Sequence, residues 1–240
     1  MHRTALWRQL AAEWLGSAGL AAVVIGSGIA AQRLSPGDAG LELFENAAAT
    51  AAGLYALILM VGPVSGAHFN PVVSLVDAIL GGLSWKEAIA YLPAQVAGCF
   101  SGAVLANLMF SRAAVTISTH HRATGAHLLS ETVATAGLLL VIFALARTAR
   151  TAAAPAAVGA YIGAAYWFTS STSFANPAIT FGRMFSNSFA GIAPSSTPAF
   201  FAAQVAGGAV GLGLIKLLYP DITPAQAAGG VLPRLGADTP

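Results

Sequence analysis

Charged side chains are scarce in this sequence of 240 residues, since Asp, Glu, Lys and Arg make up only 8% of it. A soluble domain carries about 25% charged residues, so a soluble globular protein is excluded. The 11 basic and 9 acidic residues nearly cancel, which leaves no basic surface of the kind that nucleic-acid binding needs. The composition therefore predicts no nucleic-acid partner.

Cysteine is almost absent, because the chain contains only Cys99. One cysteine cannot build a disulfide framework, and no group of Cys and His has the spacing of a structural zinc site. The sequence also lacks a His-Glu-x-x-His pattern and a convincing nucleophile with a neighbouring base. We therefore expect no metal, no cofactor and no enzymatic activity.

Apolar residues are abundant instead, with 56% hydrophobic residues and a mean hydropathy of +0.72. A helix needs about 20 apolar residues to cross a bilayer. Two apolar pieces, 69–81 and 175–189, are too short to cross. The six candidate spans lie near 11–31, 47–64, 88–110, 128–146, 154–172 and 198–219.

The distribution of basic residues between and near the ends of these spans predicts the orientation of the chain. With the N-terminus in the cytoplasm, the positive-inside rule is satisfied by seven basic residues against four. We therefore expect a multi-pass protein of the inner membrane with both termini cytoplasmic. The cytoplasmic set is Arg3, Arg8, Lys86, Arg147, Arg150, Lys216 and Arg234, and the outer set is Arg33, Arg112, Arg122 and Arg183.

An internal repeat is the most informative feature of the sequence. Three motifs occur twice and in the same order, which chance seldom produces. They are Glu13 and Glu131, each five residues before Ala-Gly-Leu, then Asn70-Pro71 and Asn176-Pro177, then Ala-Gln-Val-Ala-Gly at 94–98 and 203–207.

The duplication divides a single domain, 1–240, into a first repeat at 9–110, a second at 128–219 and a C-terminal tail at 220–240. Each repeat holds three spans, which is an odd number, so the second copy must be inverted in the membrane relative to the first. Irregular backbone at membrane depth is tolerated only where protein or water satisfies it. The sequence thus predicts an all-α membrane protein with six transmembrane helices and two re-entrant half-helices.

The two Asn-Pro pairs predict where the half-helices begin. Asn is a strong N-cap and proline is favoured at the first helical position, so Asn70 and Asn176 each start a helix inside the membrane. Inversion brings the two starts together near the midplane, where the Asn amides can donate N–H groups to a passing molecule. The positive helix ends welcome a neutral solute with a lone pair and oppose a cation or a proton.

With these motifs the sequence resembles the major intrinsic protein family, the aquaporins and aquaglyceroporins. Ser-Gly-Ala-His-Phe-Asn-Pro-Val-Val at 65–73 is similar to the first family signature and Phe-Ala-Asn-Pro-Ala at 174–178 to the second. Gln95 and Gln204 also match the family. The resemblance covers 9–219 and implies a narrow pore in each subunit of a homotetramer in membrane lipid. The implied pore constriction consists of Asn70, Pro71, Val72, Asn176, Pro177 and Ala178, with Val72 in place of the usual Ala beside the pore.

Solute choice in this family is attributed to four positions on the outer side of the Asn pair. Counted from the two Asn residues, they are Thr50, Ala164, Ser173 and Ile179. Relatives place an Arg where this chain has Ile179. Three small side chains and a neutral Ile predict a wide selectivity filter that passes solutes larger than water. The alternative is that a neighbouring side chain fills the gap.

Arg183 is the nearest candidate to fill it, four residues after Ile179. The two positions share a helix face but are about 6 Å apart along the axis. We therefore expect the guanidinium in the outer vestibule. There it could attract anions, but the favoured interpretation is that it pairs with another group or snorkels at the membrane surface. The aliphatic residue after Asn-Pro-Ala resembles a bacterial subgroup associated with arsenic resistance, which suggests arsenite or methylated arsenicals among the solutes.

Glu13 and Glu131 are ionisable residues within apolar spans, where a functional role is the default hypothesis. The resemblance implies that each carboxylate accepts N–H groups from a re-entrant loop and supports its backbone, while a proton relay is the alternative. His68 is expected to pack and hydrogen-bond in the cytoplasmic half of the pore. These predictions favour a passive channel for water, glycerol-like polyols and other small uncharged solutes. A secondary transporter is the competing hypothesis, since inverted repeats with broken helices also serve alternating access.

Overall fold

The structure is a computed structural model that describes residues 4–220, and within this range every regular element is helical. Residues 221–240, which make up nearly all of the predicted tail, lie outside the described residues, as do Arg3 and Arg234 of the charge pattern. The C-terminal location in the cytoplasm therefore stays a sequence prediction.

Eight α-helices follow one another along the described chain. Five of them are long and apolar enough to cross a membrane, and the last of these spans, Pro194–Leu218, includes the 3-10 turn before the final helix. The helix on the predicted span 154–172 has 15 residues, fewer than any of those five, and is preceded by a 3-10 turn at Thr151–Ala153. The helices are α1 Leu6–Leu34, α2 Ala39–Ser65, α3 Pro71–Leu80, α4 Trp85–Met109, α5 Gly125–Arg147, α6 Ala154–Phe168, α7 Pro177–Arg183 and α8 Thr197–Leu218.

Local sequence explains where several helices begin and end. Helix α2 starts at Asp38, whose side chain accepts from the Leu41 N–H. Helix α4 starts with a capping box between Ser84 and Glu87, which satisfies two backbone donors that a helix start leaves free. Helix α3 ends at Gly81, which adopts a left-handed φ of 87° that glycine tolerates without steric cost.

The half-helices α3 and α7 start as the Asn-Pro pairs predict. Asn70 and Asn176 are extended N-cap residues, and Pro71 and Pro177 are the first helical residues. The second piece is shorter than predicted, because the helix covers Pro177–Arg183 rather than the apolar stretch 175–189.

Span boundaries also differ from the prediction. Helix α1 extends beyond 11–31 at both ends, and α6 ends at Phe168 rather than at 172. The reason for the early end of α6 is the backbone of Thr169, which is extended with φ −111° and ψ 137°. The following residues Thr172 and Ser173 have positive φ and already belong to the second re-entrant loop.

The packing follows the inverted repeat. Helix α1 packs on α4 in the first repeat, and α5 packs on α8 in the second. Each half-helix contacts the last helix of both repeats, since α3 touches α4 and α8, and α7 touches α8 and α4. The architecture agrees with the fold predicted from the sequence, and it places the ends of both half-helices between the repeats.

Candidate functional site

The two Asn-Pro loops meet through a reciprocal pair of hydrogen bonds. The Asn70 Nδ2 group donates to the carbonyl oxygen of Ala175 at 2.7 Å, and the Asn176 Nδ2 group donates to the carbonyl oxygen of Phe69 at 2.7 Å. Each Asn thus ties its own half-helix to the loop of the other repeat. The predicted meeting of the two helix starts is present in the structure.

Each Asn amide has one N–H left for a solute. The Asn70 Oδ1 atom accepts from the Val72 N–H at 3.0 Å, and the Asn176 Oδ1 atom accepts from the Ala178 N–H at 2.9 Å. An Asn amide carries two N–H donors, and one of them is used by the opposite loop. Both Asn residues line the cavity between the repeats, so the second donor is available there.

A buried carboxylate supports the first loop. Glu13 accepts from the backbone N–H groups of His68 at 3.0 Å and Phe69 at 2.8 Å, and from the Ser65 hydroxyl at 2.6 Å. The Gln95 side chain donates to the same carboxylate at 2.8 Å. Four donors therefore surround a fully buried side chain, which offsets much of the cost of removing its charge from water.

Glu131 makes the same set of contacts to the second loop. It accepts from the backbone N–H groups of Phe174 and Ala175, each at 2.9 Å, and from the Ser171 hydroxyl at 2.6 Å. Gln204 donates to it at 2.7 Å. The geometry is the one that the family resemblance implied for the two carboxylates.

Both loops need this support because their backbones are strained. Ala67 and Phe69 have φ of 51°, and Ser173 and Ala175 have φ of 50°. Such left-handed conformations cost on the order of 1–3 kcal/mol for residues other than glycine. The carboxylates hold the loops in a conformation that the backbone alone disfavours.

Four hydroxyl residues of this network were not predicted from the sequence. Ser65 and Ser171 bond the carboxylates, while Ser74 and Thr180 each accept from a Gln amide, at 3.0 Å and 2.9 Å. A signal existed in the spacing, because each pair lies at the same distance from its Asn, five residues before or four residues after.

A cavity of about 60 Å³ runs between the repeats past both Asn residues. Its walls are mostly apolar, with a few polar groups placed along it, as is typical of sites for small molecules. Of the predicted constriction, Asn70 and Asn176 line this cavity and the other four residues do not. The polar lining residues are Thr50, His68, Asn70, Tyr166, Ser173, Asn176 and Arg183.

Val72 was expected beside the pore, and that expectation is wrong. It is buried, and its Cγ1 atom lies 2.7 Å from the point where Gly208 would carry a Cβ. The side chain of the second helical residue therefore packs against α8, and the next residue, Val73, faces the cavity.

The prediction for Ala164 is also wrong. Ala164 is exposed on α6, whereas Val158, Ile162 and Tyr166 line the cavity. These three residues are four apart and share one helix face, while a position two residues away points to nearly the opposite side. Tyr166 takes the expected place, because its hydroxyl is 3.1 Å from the Thr50 hydroxyl.

The other filter positions do line the cavity, since Thr50, Ser173 and Ile179 all face it. Arg183 faces it as well and is only 2% exposed. The favoured interpretation of Arg183 as a residue that pairs or snorkels at the surface is therefore wrong. Its long side chain lies inside the protein, in the same cavity as the filter residues.

His68 lines the cavity and belongs to a buried polar group that the sequence predicted only in part. Its Nδ1 atom is 3.0 Å from the Ser74 hydroxyl, and its Nε2 atom is 3.3 Å from the carboxylate of Asp77. Asp77 is fully buried on α3. An acidic residue in an apolar half-helix was the available signal, because ionisable groups at membrane depth are rare.

A second arginine, Arg122, fastens the loop between α4 and α5 to the segment that follows α7. Arg122, in the loop between α4 and α5, donates to the carbonyl oxygens of Gly191 and Phe189, each at 2.8 Å. Burial lowers the pKa of Arg122, and the charges of Tyr166 and Glu131 oppose that shift. Its Cζ atom lies 5.5 Å from the ring centre of Phe174, which is also the ring that Arg183 contacts.

Two inverted three-helix repeats, with half-helices that meet at a cavity between them, define a membrane channel protein. Residues 1–174 match the family described as Major intrinsic protein, and the chain belongs to this family. The match ends two residues before Asn176. The assignment of the second Asn-Pro motif is therefore supported by the internal repeat and by the structure. As a member of this family the chain is a channel and not an enzyme.

Full-length relatives and a solved structure agree with this assignment. The chain is 46% identical over 224 residues to the aquaglyceroporin AqpS of Rhizobium meliloti, covering 93% of this chain and 95% of the relative. It is 31% identical to the glycerol uptake facilitator protein of Pseudomonas aeruginosa, covering 93% and 92%. The aquaglyceroporin of Plasmodium falciparum has the same fold, with a TM-score of 0.66, 20% identity and coverage of 92% and 99%. The predictions of family and fold are confirmed.

Proposed function

We propose that this channel passes water and glycerol-sized neutral solutes without coupling to an ion gradient. The observation that carries the proposal is the cavity between the repeats, which both Asn residues line with one free amide N–H each. A neutral solute replaces part of its hydration shell with these donors and slides along apolar walls. The names of the two full-length relatives, an aquaglyceroporin and a glycerol uptake facilitator, support the same solute class.

The same geometry disfavours ions. A cation in the cavity meets two amide donors and the guanidinium of Arg183, none of which offers it a lone pair, and fixed positive charge is a barrier to cations. An anion could accept from these donors, but on either side of them it would meet apolar walls that do not replace its lost hydration. The proposed conducting species is therefore an uncharged molecule.

The setting of the channel remains the one that the sequence predicts. We propose an inner-membrane location, cytoplasmic termini, a homotetramer in lipid and the two repeats 9–110 and 128–219 as its units. The structure supports the membrane setting through its exposed apolar side chains, several of them aromatic. Examples are Trp7, Phe44, Tyr55, Trp85, Trp167 and Phe168.

Purified protein in liposomes tests the proposed function. Stopped-flow light scattering measures water efflux under an osmotic gradient, and swelling measures glycerol, urea, arsenite and methylarsenical entry. We expect faster water and glycerol movement than in empty liposomes, with no change when proton or sodium gradients are collapsed. Permeability equal to that of empty liposomes for all of these solutes would refute the proposal. The arsenite and methylarsenical measurements decide whether the channel also passes arsenicals.

A further inference from the structure

Arg183 is a buried cation whose guanidinium has few protein partners. Its Nε group donates to the carbonyl oxygen of Ala190, and its Cζ atom lies 3.3 Å from the ring centre of Phe174. Within residues 4–220 no carboxylate lies at ion-pair distance from it. A buried charge without a counter-ion is costly unless other groups solvate it.

The remaining donors of this side chain belong to a residue that lines the cavity. A guanidinium has five N–H donors, and the bond to Ala190 is the one that the described residues accept. Arg183 lines the cavity, so water or a solute there is the available acceptor for the rest. The hydroxyl of Ser173, buried to 3% exposure, also lacks a protein partner and lines the same cavity.

The direction of helical side chains explains how Arg183 reaches this level. It follows Ile179 by one turn, or about 6 Å along α7, toward the outer mouth. Side chains on a helix lean toward its N-terminus, which in α7 is the Asn176 end at the middle of the pore. The long Arg side chain therefore extends back toward Ile179, and its contact with Phe174, the neighbour of Ser173, marks where it ends.

We propose that Arg183 is the specificity-determining cation of this channel and forms its selectivity filter together with Thr50, Tyr166 and Ser173. This inference rests on the proposed function and replaces the wide, neutral filter that Ile179 and Ala164 predicted. A filter of one guanidinium and three hydroxyls is narrow and rich in donors. It favours small neutral solutes that present oxygen lone pairs, and it slows larger or less polar ones.

A purely structural role is the competing explanation, in which Arg183 only fastens the segment at Ala190. The two explanations differ in a double variant. Ile179→Arg in an Arg183→Leu background returns a guanidinium to the cavity from one turn below, but it does not restore the bond to Ala190. A filter role predicts that this double variant recovers selectivity, whereas a fastening role predicts that it does not.

The experiment compares Arg183→Leu, the double variant and Arg33→Leu with the wild type in liposomes at equal amounts of inserted protein. Arg33 is an exposed arginine that does not line the cavity, so its replacement controls for lost charge alone. Stopped-flow measurements give the ratio of glycerol to water permeability for each protein. We expect the ratio to rise about tenfold in Arg183→Leu, equivalent to about 1.4 kcal/mol of lost discrimination, to fall back in the double variant and to stay constant in Arg33→Leu.

A ratio in Arg183→Leu that stays within twofold of the wild type would overturn the inference, as would a raised ratio that the double variant leaves unchanged. If Arg183→Leu does not insert, Arg183→Lys gives the decision, because a compact ammonium fills less of the cavity than a guanidinium. Its ratio is then expected to rise, and an unchanged ratio overturns the inference. A wild type that passes neither solute refutes the proposed function itself, and the inference falls with it.

Discussion

At the scale of single residues, the buried carboxylates of Glu13 and Glu131 support the backbones of the two re-entrant loops. Each carboxylate is fully buried and accepts from two backbone N–H groups, one hydroxyl and one Gln amide. Charged acceptors bind such donors more strongly than neutral ones. Because each carboxylate accepts from two backbone N–H groups of a re-entrant loop, the structure favours the supporting role over the proton relay.

Replacing Glu131 by Ala tests that role. The change leaves the N–H groups of Phe174 and Ala175 without an acceptor, at a cost of about 1–3 kcal/mol for each buried donor. We expect the melting temperature in detergent to fall by at least about 5 °C, and Glu131→Gln, which keeps one acceptor oxygen, to fall less. Differential scanning fluorimetry measures both.

Glu42→Ala is the matched control, because Glu42 lies in the first turn of α2 and does not line the cavity. Its melting temperature should stay near that of the wild type. If Glu131→Ala is as stable as this control and the pH dependence of transport disappears instead, the proton relay is the better explanation of the buried carboxylate.

The sequence predicted these carboxylates and both Asn residues because each recurs at the same place in an internal repeat. It did not predict the partner from α6, since counting from Asn176 assumes one loop geometry, and α6 ends at Phe168. A shift of two residues moves a side chain to the opposite helix face, which is why Ala164 failed and Tyr166 faces the cavity. Arg183 was misplaced for a different reason, because axial distance was counted without the lean of a long side chain.

At the scale of helices, close crossings between α1 and α4 and between α5 and α8 depend on paired glycines. A Cβ on Gly98 would lie 2.4 Å from the carbonyl oxygen of Trp14, and one on Gly207 would lie 2.5 Å from that of Thr132. Small residues let membrane helices approach until their backbones touch. At both crossings the structure places backbone against backbone.

Gly102→Ala should separate α1 from α4. The added Cβ would lie 2.1 Å from the carbonyl oxygen of Ala18 and 2.8 Å from the Ala21 Cβ, and helical backbone cannot move aside as a flexible side chain can. Overpacking of this kind costs about 1–3 kcal/mol or more. We expect a lower yield of folded protein and a lower melting temperature, measured by fluorescence-detected size exclusion with heating.

Gly213→Ala is the control for this change, since a Cβ at Gly213 meets nothing within 4 Å. This control makes the same substitution inside a membrane helix at a position where the added methyl group contacts no neighbouring residue. Equal stability of the two variants would show that the crossing of α1 and α4 is looser than the structure indicates.

At the scale of the whole molecule, the inverted repeat places a cavity between its two halves, lined by residues of both. Both half-helices contact the last helices of both repeats, and the two Asn bonds cross between the repeats. Rocking one repeat against the other, as alternating access requires, would break these two Asn bonds. The arrangement stabilises a single state and favours a channel over the secondary transporter.

The dependence of flux on concentration separates these two hypotheses for the intact protein. A pore that keeps one conformation passes solute in proportion to the gradient, so initial glycerol flux into liposomes should rise linearly across the accessible concentration range. A carrier must change conformation in every cycle and saturates when that step limits the rate. Labelled glycerol uptake at increasing external glycerol gives the curve, and preloading the liposomes with unlabelled glycerol should not accelerate uptake. Saturation together with such acceleration would mean that the cavity opens alternately to the two sides, and that the bonds between the Asn-Pro loops break and re-form during transport.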